Sequence, residues 1–286
     1  MRALVLSGGG VKGAYQVGAL KNLVQERGYS YDILCGISVG ALNCSFLSLF
    51  NKEQESEAVD KLSNFWQTIN NNTIFKRWFP FGRVHALWLQ SLYNSQPLID
   101  LIRSEIDVKK VRATERKVAV GATSLTTGKF RVFTQDDDAF ADGVLASSSF
   151  PSGLKPIMIG DELYTDGGVK HITPLAQAIK LGADEIDMVI CSPAMTTAKY
   201  NNGSNTITLA LRTIDLMTDE IITADLKLAQ LYNKLAKLDP LSNKKFVKIN
   251  LIRPDHDLTE DSLNFDHDSI MSMIKQGYED AVKIII

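Results

Sequence analysis

A serine set between small residues is the first group in this chain that could do chemistry. The stretch "DILCGISVGALN" contains Gly36-Ile37-Ser38-Val39-Gly40. This G-x-S-x-G pattern puts a serine at a sharp strand-to-helix turn, which needs small residues two before and two after it. A hydroxyl presented in that way is a candidate nucleophile for acyl transfer. Upstream, "LSGGGVKGAYQVGAL" sets Gly8, Gly9 and Gly10 between an apolar run and a helical pattern, with Lys12 and Gly13 behind them. Bare backbone of this kind can face a dinucleotide, a phosphate, or an oxygen that gains negative charge during a reaction.

The three readings make different demands. Gly8, Gly10 and Gly13 satisfy G-x-G-x-x-G, but a dinucleotide site also needs an acidic residue closing the second strand. Asp32 precedes the strand "ILCGIS" instead of ending it. A P-loop needs Ser or Thr after its lysine, and Gly13 follows Lys12. An oxyanion hole needs glycine N–H groups at a helix start and a nucleophile nearby. A right-handed β-α-β unit makes the first two strands parallel and ends them on one edge, so the glycine loop and Ser38 emerge side by side.

The serine needs a base. The histidines are His85, His171, His256 and His267. A serine, acid, histidine order would leave His256 or His267 for that task, but only one strand and one helix precede the elbow, unlike an α/β-hydrolase. His267 is more simply a residue at a helix start. In "LYTDGGV", Asp166 stands before Gly167 and Gly168. Read alone, Asp-Gly-Gly at the end of a short apolar stretch is either a carboxylate base or an ordinary turn.

Together these pieces resemble the patatin-like phospholipases. The match is G-G-G-x-K-G from Gly8, G-x-S-x-G from Gly36 and D-G-G from Asp166, in that order. "LASSSFPSGLKPI", "PLAQAIKLGADEI" and "LNFDHDSIMSMIKQGYEDA" are similar to further family segments, and residues 53–117 match most weakly. The resemblance implies a Ser-Asp dyad without histidine. Ser38 would be the nucleophile and Asp166 the general base. The N–H groups of Gly8, Gly9 and Gly10 would form the oxyanion hole. Lys12, Gly13, Gly36, Gly40, Gly167 and Gly168 would support them. It implies hydrolysis of a lipid ester through an acyl-enzyme, of phospholipase A or lysophospholipase type, with no metal and no cofactor. A carboxylesterase or thioesterase of short acyl groups, a silent lipid-binding module and a dinucleotide binder are the competing readings. Lys12 suits either an anionic head group or a shield over the turn. His171 stands where many relatives carry a small polar residue, so it either lines the cleft or packs as a wall residue.

The rest of the chain must position these groups. Its 286 residues and ordinary apolar content can bury a sizeable core. A net charge of −2 gives no support for a nucleic-acid partner. Three scattered cysteines fit a reducing compartment, and the short N-terminal apolar run reads as a strand, so a cytoplasmic location is expected. Apolar runs "ALVLS", "DILCGIS", "KVAVGATSL", "KFRVFT", "IDMVICS" and "KFVKINLI" read as buried strands alternating with helical patterns. That alternation predicts a three-layer α/β/α domain over residues 1–286 with a mainly parallel sheet. "NNNT" and "KYNNGSN" read as loops. Residues 205–238 read as one long helix whose apolar stripe covers the sheet or forms a homodimer seam. Residues 74–93 interleave Phe75, Trp78, Phe79, Phe81 and Trp88 with Lys76, Arg77 and Arg83. This mixture suits a lid or cap near residues 70–95, or a peripheral contact with a membrane.

Overall fold

The computed structural model describes residues 1–76, 89–151, 153–194, 206–238, 245–259 and 261–283. Trp78, Phe79, Phe81, Trp88, His85 and the loop "KYNNGSN" lie outside them. Eight strands form one sheet: β1 (Arg2–Leu6), β2 (Ile33–Gly36), β3 (Lys117–Ser124), β4 (Phe130–Thr134), β5 (Ile157–Ile159), β6 (Glu162–Asp166), β7 (Glu185–Val189) and β8 (Lys248–Ile252). The run β3-β2-β1-β7-β8 is parallel, β4 and β6 pair antiparallel with β3, and β5 pairs antiparallel with β6.

Alternation along the strands sends side chains to two cores. Leu4, Leu6, Leu34, Val118 and Val120 face one, with helices α1 (Gly13–Leu20), α2 (Val39–Leu47), α3 (Glu55–Thr68) and the C-terminal helix His267–Val282. Ala3, Val5, Ile33, Cys35 and Ala119 face the other, with Leu175 and Ala178 of helix Leu175–Lys180 and Ile222 and Ala229 of helix Thr206–Leu238. Strands buried on both faces carry continuous apolar runs, which makes them readable in the sequence. The chain is therefore an α/β protein with helices on both sides of a mixed sheet. Among the described residues no helix is long and apolar enough to cross a membrane.

The edges of β3 bring distant residues together. A strand has two hydrogen-bonding edges. β4 occupies one edge of β3 over residues 119–123. β2 pairs with residues 117–120 of β3, and β6 with residues 122–124. Both overlap β4 in register, so both must use the opposite edge. β2 and β6 thus meet end to end at Gly121, and the residues that leave their two ends converge.

The structure adds to the predicted elements and corrects one. Asn71–Ile74, read as part of a loop from its asparagines, is a single helical turn whose N-cap Asn70 accepts from the Asn72 N–H at 3.0 Å. Asparagine is a favoured N-cap as well as a loop residue, so composition alone does not separate the two. α3, Gln96–Glu105, Val108–Ala113, β5 and β6 have no counterpart among the predicted elements. Helix α1 continues as a π-helical stretch, Lys21–Glu26. Asp266 caps the final helix through the Ser269 N–H at 3.0 Å, as its sequence suggests.

Candidate active site

Ser38 sits at the turn between β2 and α2 with φ 55° and ψ −126°. A non-glycine residue in that region carries strain of about 1–3 kcal/mol, held by the surrounding structure. Two close approaches enforce it. A Cβ on Gly36 would overlap the Gly40 carbonyl, and a Cβ on Gly40 would overlap the Leu6 carbonyl. The small residues of the motif therefore let the elbow close on itself and on the end of β1.

Three consecutive serines at the end of helix Phe140–Ser147 tie the elbow to Asp166. Ser147 Oγ accepts the Ser38 N–H at 3.0 Å, and Ser148 Oγ donates to the Ser38 carbonyl at 3.4 Å. The Ser149 carbonyl accepts the Asp166 N–H at 3.0 Å and the Thr165 hydroxyl at 2.8 Å. One short segment thus fixes the backbones of both residues.

Asp166 ends β6 and is 3% exposed; Ser38 is 9% exposed. The Gly168 N–H donates to Asp166 Oδ1 at 2.7 Å, closing the turn that Gly167 and Gly168 form. Oδ2 is buried without a hydrogen-bond partner of ordinary geometry among the described residues. Burial pushes the Asp166 carboxyl up from 3.8 to about 7, against smaller opposing pulls from the Ser38 hydroxyl and the Gly168 N–H. The pull of the Ser38 hydroxyl on the carboxyl sets the two groups near each other, without a hydrogen bond of ordinary geometry between them. Catalytic hydrogen bonds are often loose before substrate binds.

The glycine loop runs between these groups and α1. Gly8 lies against Ser38, where an added Cβ would come within 3.2 Å of the Ser38 Cβ. Its N–H donates to the Ile172 carbonyl at 3.1 Å. This departs from the expectation that all three glycines offer their N–H groups, because the chain after Asp166 claims the first one. The N–H groups of Gly9 and Gly10 have no acceptor among the described residues. Gly10 has φ +58°, and a Cβ there would overlap the Ser262 carbonyl. Lys12 is buried and lines the cavity instead of standing on the surface. Gly13 opens α1.

Beneath the loop runs a buried chain of polar groups that sequence reasoning missed. Trp66 Nε1 donates to Asn43 Oδ1 at 2.9 Å, and Asn43 Nδ2 donates to Gln16 Oε1 at 2.9 Å. Gln16 Nε2 donates to the Ser7 carbonyl at 2.7 Å and contacts Cys191 Sγ at 3.2 Å. Gln16 and Asn43 are 0% and 1% exposed. The chain joins α1, α2 and α3 to the residue that precedes Gly8.

A cavity of about 220 Å³ opens onto these groups. Ser38, Asp166, Lys12 and Gly8 to Gly10 line it, and Leu42, Phe46, Leu62, Trp66, Leu98 and Ile102 supply an apolar wall. No described histidine lines it. His171 is exposed and packs edge-on to Phe130 at 4.7 Å, and the ring of His267 contacts the Gln67 carbonyl. Asp32 lies at the start of β2, where it accepts the Arg2 N–H at 2.9 Å. The glycine loop follows the other end of the neighbouring parallel strand. Asp32 is thus on the wrong sheet edge to hold a ribose.

The family model described as patatin-like phospholipase matches residues 4–179. The chain is 22% identical over 269 residues to calcium-independent phospholipase A2-gamma of Rattus norvegicus, covering 79% of this chain but only 34% of that protein. It is 23% identical over 275 residues to "Probable lipid hydrolase 463L" of Invertebrate iridescent virus 6, covering 88% of this chain and 92% of that one. Among solved structures, VipD from Legionella pneumophila covers 99% of this chain and 66% of its own length, with 13% identity and a TM-score of 0.49.

Proposed function

The chain belongs to the patatin-like phospholipase family, and from that premise we propose that it hydrolyses lipid esters with Ser38 as nucleophile and Asp166 as general base. The observation that carries this reading is the convergence of Ser38, Asp166 and the glycine loop at one end of an apolar cavity. An acyl chain against Leu42, Phe46, Leu62 and Leu98 would bring its carbonyl to the Ser38 hydroxyl. Asp166 takes the hydroxyl proton as Oγ bonds to the carbonyl carbon. The carbonyl oxygen becomes an alkoxide facing the Gly9 and Gly10 N–H groups. Donors aimed at such an oxygen lower the barrier by several kcal/mol in comparable sites. Collapse breaks the ester C–O bond, and Asp166 returns the proton to the departing alcohol. Water then attacks the acyl-enzyme, gives its proton to Asp166, and the fatty acid leaves as the Ser38 hydroxyl re-forms.

A base with a pKa near 7 suits this work at neutral pH. The names of the relatives favour a phospholipid substrate, and a lysophospholipid is the second ester class proposed. On this proposal residues 1–286 act as one catalytic domain. Residues 70–95 act as its cap, because Ile74 lines the cavity and Lys76 bridges to Asn94 across the segment's ends. The aromatic and basic residues of 74–93 suit that cap for peripheral contact with a membrane. The test is labelling with a fluorophosphonate probe, followed by mass spectrometry of products from a phospholipid and lysophospholipid panel. Labelling and fatty-acid release that both vanish in Ser38→Ala are expected. Release that persists in Ser38→Ala would overturn the assignment.

A further inference from the structure

Helix Thr206–Leu238 carries two apolar faces. One buries Ile222 and Ala229 against the sheet. The other points to solvent: Met217, Leu228, Leu231, Leu235 and Leu238 are between 40% and 81% exposed. With Ile221 and Ala224 they recur from 217 to 238 in alternating steps of four and three. A helix that only covers a sheet has no need for a second stripe. Steps of four and three over three heptads are the seam of a paired helix. At 1.5 Å per residue this seam is about 32 Å long.

The flanking charges say what fits it. Glu220, Lys227 and Lys234 line one flank, and Thr218, Asp225 and Tyr232 the other. A parallel copy would set Glu220 against Asp225 of its partner, which repels. An antiparallel copy sets Glu220 against Lys234 twice about the two-fold axis, while Lys227 and Asp225 each meet their own image, one on either rim; the parallel pair has two repulsions and no attraction. A bilayer surface favours a broad apolar face bordered by Lys and Arg, whereas the flank of Thr218, Asp225 and Tyr232 on this narrow one carries no basic residue. We infer that the exposed heptad face of helix Thr206–Leu238 binds a second copy of this chain as an antiparallel helix pair. The same helix contributes Thr218, Asp219 and Ile222 to the cavity lining, so association braces one wall of each cavity.

Light scattering after size exclusion, with the full chain over a concentration series, tests this. The expected mass is twice the 31.6 kDa of the chain. The doubly substituted Leu228→Glu, Leu231→Glu protein should run as a folded monomer, with far-UV circular dichroism unchanged. Glu220→Lys and Lys234→Glu should each weaken association by about tenfold, and the two together should restore it. A wild-type monomer at every concentration would overturn the inference. So would a dimer indifferent to Leu228→Glu, Leu231→Glu. A charge swap that fails to restore association overturns the antiparallel arrangement. Should the leucine substitutions instead abolish only co-sedimentation with phosphatidylcholine–phosphatidylglycerol vesicles, the face belongs to a bilayer and the inference is wrong.

Discussion

Gly36 and Asp166 share one edge of β3, Gly36 beside Val120 and Asp166 beside Ala122. The first belongs to a parallel neighbour and the second to an antiparallel one, so their strands point at each other. β2 runs through Gly36 into the elbow, and β6 ends on the carboxylate. The geometry of the site is thus a property of sheet register before it is a property of side chains.

The rate should follow ionisation of Asp166. Burial holds its carboxyl at about 7, and only the carboxylate can take the Ser38 proton. kcat/KM measured from pH 5 to 9 should rise about tenfold per unit below the midpoint and level off near pH 8. A midpoint near 4 would mean that the carboxyl is not desolvated in the working enzyme.

The same carboxyl should cost stability, with a definite sign. Its pKa is about 7 when folded and 3.8 as the ordinary value. Between those values the native state keeps a proton that the unfolded chain releases, so rising pH favours unfolding across that window. Above pH 7 the native protein holds a buried carboxylate with an unpartnered oxygen. Asp166→Asn should therefore raise the thermal midpoint, and the gain should grow from pH 5 to pH 8. At about 1.4 kcal/mol per unit, the ceiling is about 4 kcal/mol. Turnover should meanwhile fall by about 10²–10⁴. Thermal melts at several pH values check the first part, and a gain that shrinks with pH would contradict it.

Gln16 is a positioning residue for the glycine loop. Gln16→Leu removes the hold on the Ser7 carbonyl and leaves Asn43 only its longer bond to the Gly13 carbonyl, at about 1–3 kcal/mol for each unsatisfied group. The expected kinetic signature is a fall in kcat of about 10–100-fold with KM little changed, since the apolar wall is untouched. Gln16→Glu would set a buried carboxylate against the Ser7 carbonyl, so it should restore neither stability nor kcat. Equal losses in kcat and KM would point to general damage instead.

Gly40→Ala should be poorly tolerated despite adding one methyl group. The methyl meets the Leu6 and Ser7 carbonyls, which are backbone atoms at the end of β1 and cannot rotate aside. Overpacking of this kind costs about 1–3 kcal/mol. A lowered thermal midpoint and slower fluorophosphonate labelling are expected; unchanged values would mean that the elbow is looser than these close contacts require.

Much of this is legible in the sequence because its causes are local. The elbow, the glycine loop and the strand runs each declare themselves within a dozen residues. The pairing of β6 with β3 does not, because the 40 or so residues between them reveal nothing of which edge remains free. Gln16 and Asn43 read as polar positions on amphipathic helices, and such residues usually face water. Here they face each other, and only the tertiary structure shows it. The engagement of the Gly8 N–H by Ile172 is hidden for the same reason. α3 and helix Gln96–Glu105 line the apolar wall, yet they fall in the stretch that least resembles the family.

β1 lies between β2 and β7, and the Gly8 amide is held by Ile172. The nucleophile emerges from the ribosome early, but the strand beside it and the loop that faces it stay incomplete until about 150 further residues have been made. A nascent chain therefore displays the elbow long before it can use it. A protein released prematurely at position 179 would carry the glycine loop, the elbow and the Asp-Gly-Gly turn and still lack the strand that closes β1's second edge.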